Sequence, residues 1–371
     1  MPYDLISLEK DMYQVSKKSF TEVLEDLDPS ENYLETDLAG LDAYERQLKR
    51  FEIKVNGPNC DSVEKFFENY HTAVLFPEFM ARSIKSGLSA ADALPMICAT
   101  KTITDGIDFR PIILNTTSTS DSSTTNANST ASSTINSDSS SENTSTSVNT
   151  SQDVSENTGI NLRAPISEGA SLPVLNITTN SNIISLKKRG RLVSVTYESL
   201  RHQNLEVFGV ILKKIGRDIS YEQLGHAASV LSADAGTIDV SSTSSGKITY
   251  DYLLQLWEAL NPYELNTMLA NVSTIHAILG LTEMKDAAAG LNFQASGKLV
   301  TPLGANLIKT PDIATAVVIG LDKNCALQMI QSGNIILDYD KVISKQLKEL
   351  ALTVTSGFNK LFPDSVKKLV Y

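Results

Sequence analysis

Apolar positions along the chain change period several times, and each change marks an element. From Ile183 to Tyr197, apolar Ile184, Leu186, Leu192 and Tyr197 are interleaved with basic residues, which predicts a strand. From Ser199 to Leu231 the spacing becomes three and four. Leu205, Phe208, Ile211 (or Leu212 in the same turn), Ile215 and Ile219 then share one face of a single long helix. At about 1.5 Å per residue that helix is on the order of 50 Å long, a beam across a domain.

Upstream, Phe20, Val23, Leu24 and Leu27 form the face of a short helix that Asp28-Pro29 ends. Leu38, Leu41, Tyr44, Leu48 and Phe51 repeat the pattern. Two readings fit residues 1–56: amphipathic helices packed on the main body, or an arm packed on a neighbouring subunit. Ser62 caps a helix through VEKFFENYHTAVL, Pro77 begins a second that Gly87 ends, and Ser89 caps a third. Alternation around Ile103, Ile107, Phe109, Ile112 and Leu114 predicts strand, with Asp105-Gly106 as a turn.

Between residues 115 and 158 roughly three quarters of positions are Ser, Thr or Asn, with no periodicity. Burial cannot offset the ordering entropy of such a tract, so disorder is expected. The strands near 103–114 and 183–197 bracket it, which is the shape of a β-hairpin with an extended tip.

Beyond the long helix, Leu253, Leu256, Trp257 and Leu260 make the face of a helix capped by Thr249. LNTMLANV reads as a buried strand, and Ser273 caps STIHAILGLTEM. GKLVTPLGANLIKT reads as a hairpin with Gly304 near its turn. ATAVVIGLDKN, CALQMIQSGNIILDYD and the stretch from Val342 read as strands. Helices and strands alternate without a βαβ repeat, so the class is α+β.

Composition narrows the function. Of 371 residues, 43 are Asp or Glu against 32 Lys or Arg, a net charge of -11, which opposes general nucleic-acid binding. Cys60, Cys98 and Cys325 are scattered, odd in number and without metal-ligand spacing, which favours a reducing compartment. MPYDLISLEK carries charges where a leader needs an apolar run, and no run approaches the roughly 20 residues of a membrane helix. Phosphate-loop, dinucleotide, zinc and nucleophile-elbow motifs are not found, and His71, His202, His226 and His276 are scattered. No enzyme, cofactor, metal or catalytic residue is therefore expected. One charge cluster stands out: Lys187, Lys188, Arg189 and Arg191. It is either a solvated strand face or a contact for an acidic patch on another copy, with phosphate binding third.

Four long runs carry a family resemblance: LPMICATKTITDGIDFRPIILN, KKRGRLVSVTYESLRHQNLEVFGVILKKIG, GLNFQASGKLVTPLGANLIKT and VVIGLDKNCALQMIQSGNIILDYDKVISKQLKELALTVTSGFNKLF. ERQLKRFEI and FFENYHTAVLFPEFMARSIKSGL extend them upstream. They resemble major capsid proteins of tailed bacteriophages, in the branch common among phages and prophages of Gram-positive bacteria. The likeness runs from about Leu41 to Tyr371.

The resemblance implies the Hong Kong 97-type capsid fold. Its parts would be an N-terminal arm at 1–56, a helical start of the peripheral domain at 57–99, and a hairpin E-loop at 100–195 carrying the insert 115–158. The spine helix would follow at 196–233, an axial domain at 234–340, and a return strand with the C-terminal segment at 341–371. It also implies self-assembly into hexamers and pentamers, closing as an icosahedral shell around double-stranded DNA without sequence-specific binding. Scaffolding, portal and protease proteins would be partners, and a virion assembled in the bacterial host cytoplasm the location, with no membrane involved. The alternative is an encapsulin-like nanocompartment of the same fold. A secreted adhesin with a glycosylated Ser/Thr stalk, or a hydrolase, would need features not found. Some members of the fold crosslink an E-loop lysine to a neighbour; Lys187 or Lys188 fits by position, and no partner asparagine is assigned.

Overall fold

The computed structural model describes residues 4, 6–14, 18–116, 175–179, 182–233, 235–244, 246–285 and 303–371. Two compact units are present, one of residues 1–109 and 183–371, the other of residues 110–182.

In the first unit, α1 (Phe20–Leu27) and α2 (Ala43–Arg50) both open with capping boxes, Ser19 with Glu22 and Asp42 with Glu45. They pack on α3 (Tyr70–Ala90). Strand β1 (Cys98–Thr104) and the two-residue β2 (Asp108–Phe109) follow. In the second unit, β3 (Ile112–Thr116) and β4 (Leu175–Thr179) pair antiparallel, from Ile112 opposite Thr179 to Thr116 opposite Leu175. The first unit resumes with β5 (Ile184–Ser185), β6 (Lys187–Thr196), the short α4 (Tyr197–His202) and α5 (Leu205–Ser232). Then come β7 (Gly236–Asp239), α6 (Ser241–Ser244), α7 (Tyr250–Ala259), β8 (Thr267–Ala270), α8 (Val272–Leu279) and α9 (Thr282–Lys285). The chain closes with β9 (Asn306–Lys309), β10 (Val317–Leu321), β11 (Leu327–Val342), β12 (Leu347–Lys360) and β13 (Val366–Val370).

Two sheets dominate the first unit. One has the order β1-β11-β12-β6, with β1 parallel to β11 and the other pairs antiparallel. The other has the order β7-β13-β10-β8-β9. Helix α5 joins them. Leu205, Phe208, Leu212 and Ile219 belong to a core shared with α1, α2, α3 and β12. Leu224, Ala227, Ala228 and Leu231 belong to a second core with β8, β10 and β11. A third core lies under α7 and α8 against β8 and β10.

The crossing of α3 and α5 is set by glycines. A Cβ on Gly87 would stand 2.0 Å from the Lys213 carbonyl oxygen, and one on Gly216 would stand 2.2 Å from that of Ile84. The helices therefore touch backbone to backbone, closer than any side chain allows.

The class is α+β, as the alternation of elements predicts. Several expectations are corrected. Three helices expected over 62–100 are a 3-10 turn at Val63–Phe67, one helix, α3, that runs through both Pro77 and Gly87, and a 3-10 turn at Leu94–Met96 that leads into β1. Proline normally interrupts a helix because it lacks an N–H and crowds the preceding turn. Here Tyr13 repairs the damage. Its hydroxyl donates to the Val74 carbonyl (2.7 Å) and accepts the Glu78 N–H (3.2 Å), two groups that would otherwise bond each other.

Residues 1–56 follow the packed alternative rather than the extended arm: Leu8, Phe20, Leu24, Tyr44, Leu48 and Ile53 are all in the first core. Charge links reinforce the seat. Glu78 accepts from Thr21 (2.7 Å) and Arg82 (3.1 Å), and Arg82 also pairs with Asp42 (2.6 Å). Arg46, fully buried, pairs with Asp28 (2.8 Å).

The expected single helix from Ser199 breaks at Gln203–Asn204, leaving α5 about 42 Å long at about 1.5 Å per residue. Ile211 is 50% exposed, while Leu212 is fully buried. At about 100° per residue, Ile211 falls roughly 80° off the mean direction of Leu205, Phe208, Leu212, Ile215 and Ile219. Trp257 is likewise exposed although Leu253, Leu256 and Leu260 are buried, and Asn271, not Ser273, caps α8. The expected hairpin of 103–114 with 183–197 is narrower. Strands β1 and β6 sit at opposite edges of a four-stranded sheet, and only β2 with β5 and β3 with β4 pair. All of β11 joins the β1-β12-β6 sheet, while β13 crosses to the five-stranded one. The Ser/Thr/Asn tract beyond Thr116 and residues 297–302 of the expected hairpin lie outside the described residues.

Gly216→Val should lower unfolding free energy by about 3 kcal/mol, because overpacking here meets backbone rather than a movable side chain. Ile211→Gln should change it by no more than about 0.5 kcal/mol. Urea denaturation followed by circular dichroism measures both. Equal losses for the two variants would contradict the face assigned to α5.

Candidate inter-subunit surfaces

Strand β6 is an edge strand: among the described residues it is bonded only to β12, from Lys187 opposite Ser356 to Thr196 opposite Leu347. Side chains alternate across a strand, so the four basic residues do not act as one cluster. Lys187, Arg189 and Arg191 share the parity of Val193 and Val195, which pack on the first core. That face looks toward α5, where Arg191 pairs with Glu222. Lys188 is on the other face, exposed beside exposed Leu192.

Arg189 is half-buried, and its Nη1 is buried with no hydrogen-bond partner among the described residues. So is Nδ1 of His226, one turn beyond Glu222 on α5. Burial, with the charges of Arg189 and Lys187 behind it, pushes the His226 imidazole down to about 4. Burial also lowers Arg189. The Phe358 ring meets His226 edge-on at 5.4 Å between centroids. The spacing of the sequence missed His226 and Glu222, since they lie 30 and 26 residues beyond the end of β6, on a different element. Period-two parity was the available signal: it separates Lys188 from the other three.

A cavity of about 690 Å³ opens at the far end of the same sheet, lined by Phe67, Tyr70, Tyr197, Lys341 and Lys348. Lys348 lies over the Phe67 ring, and Lys341 stands 5.4 Å from the Tyr197 centroid. Burial, then the Lys341 charge, pushes Lys348 down to about 7. A larger groove of about 1110 Å³ runs between α2 and the helices α3 and α5, with Lys49, Glu52, Arg82, Glu206, Val210 and Lys213 on its walls. Its charges are mixed, and no nucleophile–base pair converges in it.

Apolar side chains are exposed well beyond these sites. Ile112 and Ile177 are 62% and 71% exposed on the hairpin of the second unit. In the first unit Ile103, Ile107 and Ile183 are exposed, as are Val207, Val210 and Ile211 along α5 and Trp257 on α7. Cys98 is half-buried, and burial, then Asp92, pushes its thiol up to about 12, away from the thiolate that a nucleophile needs. No group of three or more metal-ligating side chains is found among the described residues, and no described helix is long and apolar enough to cross a membrane.

No family model matches the chain, and no curated protein does. Among solved structures, the chain is similar to a virus-like particle from Pyrococcus furiosus, at 10% identity over 79% of this chain and 98% of that one, TM-score 0.46. It is similar to the capsid of an empty GTA particle at 13% identity, over 76% and 90% of the two chains, TM-score 0.46. It is also similar to an encapsulin complex from Synechococcus elongatus at 14% identity, over 53% and 77%, TM-score 0.40.

Lys348 generates a pH prediction. Its folded-state value of about 7 lies below the ordinary 10.5, so between the two the unfolded chain holds the extra proton and stability rises with pH. Below about 7 the buried charge is a constant cost. Lys348→Met should therefore be more stable than the natural chain below pH 7, with the advantage shrinking steadily toward pH 10.5. Thermal melts of both proteins across that range test this; a pH-independent difference would contradict it.

Proposed function

We propose that this chain is the major capsid protein of a tailed phage, a structural subunit that assembles with copies of itself into a closed shell. One observation carries the reading: the order in which the elements are built. A seated N-terminal segment, an antiparallel strand pair, a long helix spanning two cores, a second sheet, and a strand returning to the first sheet follow one another along the chain. That is the order the sequence resemblance to the Hong Kong 97-type fold calls for. In this reading the β1-β11-β12-β6 sheet with α3 and α5 is the peripheral domain. The axial domain is the five-stranded sheet with α7 and α8, including β13.

The exposed apolar residues support it. Isoleucines on a two-stranded hairpin and valines along a helix are costly in water for a monomer and are normal for a surface that other copies cover. Each contact is modest, and repetition with closure makes the assembly strong. Hexamers and pentamers around double-stranded DNA are the assembly this reading calls for. Scaffolding, portal and protease proteins are then its partners, and the virion, built in the host cytoplasm, its place. The acidic net charge suits a wall along which DNA must slide without sticking.

Negative-stain microscopy of the purified chain, alone and with its scaffold, should show closed shells. A chain that stays monomeric at high concentration under both conditions overturns the proposal. Ile112→Asp with Ile177→Asp should leave the melting temperature of the subunit unchanged within about 2 °C, since both sites are exposed, yet abolish shells in the same micrographs.

A further inference from the structure

The geometry points to a binding site between β6 and α5, floored by Arg189 Nη1 and His226 Nδ1, that takes a carboxylate side chain from a second copy of this chain. The inference rests on the shell reading and adds to it a chemically defined contact.

Buried donors without partners are rare, because each costs the hydration it has lost. Here two occur on facing elements, Arg189 Nη1 on β6 and His226 Nδ1 on α5, close enough for the Arg189 charge to depress the imidazole. Charged and polar groups surround the site, buried Gln331 of β11 and Asp312 against Gly225 of α5 among them. From β6 come Lys187, Arg189 and Arg191, and Arg191 is already neutralised by Glu222 of α5. From α5 also comes Gln223, which bonds Ser356 of β12 (3.4 Å). From β12 comes the Phe358 ring, which offers no acceptor of charge. Lys187 and Arg189 remain as positive charges beside a neutral imidazole, with no anion among the described residues to answer them. Both Arg189 and His226 are only half-buried, so each side chain keeps part of its surface open to a second chain.

A carboxylate fits this vacancy. It accepts from a guanidinium and an imidazole N–H together, and charge-assisted bonds of this kind are about twice as strong as neutral ones. The source follows from charge and topology. Each copy carries 43 acidic residues against 32 basic ones, so acids are in surplus on the partner's surface. The site also borders a free strand edge, where another chain can align. Two unanswered cations in a recess are too few for a nucleic-acid backbone.

The test is sedimentation velocity of the full chain and of Arg189→Gln, His226→Gln, Lys187→Glu and Lys188→Gln. Arg189→Gln removes an unpaired half-buried charge and should fold at least as stably as the natural chain. The concentration needed for association should rise about tenfold for Arg189→Gln and His226→Gln. Lys187→Glu, at the surface, should weaken association even if either of those fails to fold. Lys188→Gln, on the opposite face, should associate normally. A docked carboxylate raises the His226 pKa, so natural association should tighten from about pH 7 to about pH 5, a trend His226→Gln loses. Shells that form equally well with Arg189→Gln and Lys187→Glu overturn this site and leave the shell reading standing. Open oligomers that depend on Arg189 support the site and overturn the shell. A natural chain that is monomeric throughout overturns both. One that binds short duplex DNA through Arg189 overturns the assignment to a carboxylate.

Discussion

The close crossing of α3 and α5 is the constraint on which the rest of the subunit depends. With no Cβ at Gly87 or Gly216, the two backbones meet directly, and dispersion contacts along both helices follow from that approach. The crossing fixes where α5 emerges on either side. Its N-terminal half is held against α3 and the first core, and its C-terminal half is delivered to the second. Both sheets take their places from this one helix. β12 and β6 run along it from the first core to Glu222 and His226, and β8 and β10 lie over its second half, so a shift at the crossing would reach every layer.

Helix α3 must stay continuous to serve as the other half of that crossing, yet it contains Pro77. The Tyr13 hydroxyl bridging Val74 and Glu78 resolves the conflict, and the stack of Tyr13 on Phe20, with ring centroids 4.4 Å apart, places that hydroxyl. This gives the N-terminal segment a structural duty in the free subunit. Glu78, Arg82, Thr21 and Asp42 form a second set of links between the same parts, partly buried and therefore less screened than surface pairs.

Much of this fold was legible in the chain because strong periodicity reports burial. Leu205, Phe208, Ile215 and Ile219 were legible as one face, as were the wholly buried β8 and β10. The failures have physical causes. Ile211 and Leu212 are adjacent and equally apolar, and only the turn angle accumulated from Leu205 separates them. Pro77 reads as a helix start because nothing in the local sequence reveals that a tyrosine sixty-four residues earlier repairs the gap. Gly87 reads as a helix end because a glycine demanded by a crossing helix has the same local appearance as one demanded by a left-handed cap. The pairing of β1 with β11 joins residues more than two hundred positions apart, and no local pattern encodes that register. At the candidate site, four neighbouring basic residues look like one feature in sequence. The pleat assigns them to two faces, and the groups that give one face its chemistry, Glu222 and His226, come from elsewhere.

The free subunit leaves several of its groups unsatisfied, and the pattern of dissatisfaction has meaning. Its interior is closely matched: Arg46, buried completely, meets Asp28, the Ser30 hydroxyl at 2.9 Å and the Leu41 carbonyl at 2.8 Å. A chain that satisfies a buried arginine this fully has no general difficulty placing partners. The orphaned Nη1 of Arg189, Nδ1 of His226 and hydroxyl of Tyr197, with the exposed isoleucines, therefore stand apart from that interior. They lie on an edge strand, at a helix surface and on a hairpin, where a second chain has access. Selection for stability alone would have removed them, since replacing an unpaired half-buried cation by an uncharged residue costs little and relieves desolvation. In the proposed shell these are the contacts that the subunit leaves open and that a second copy would close.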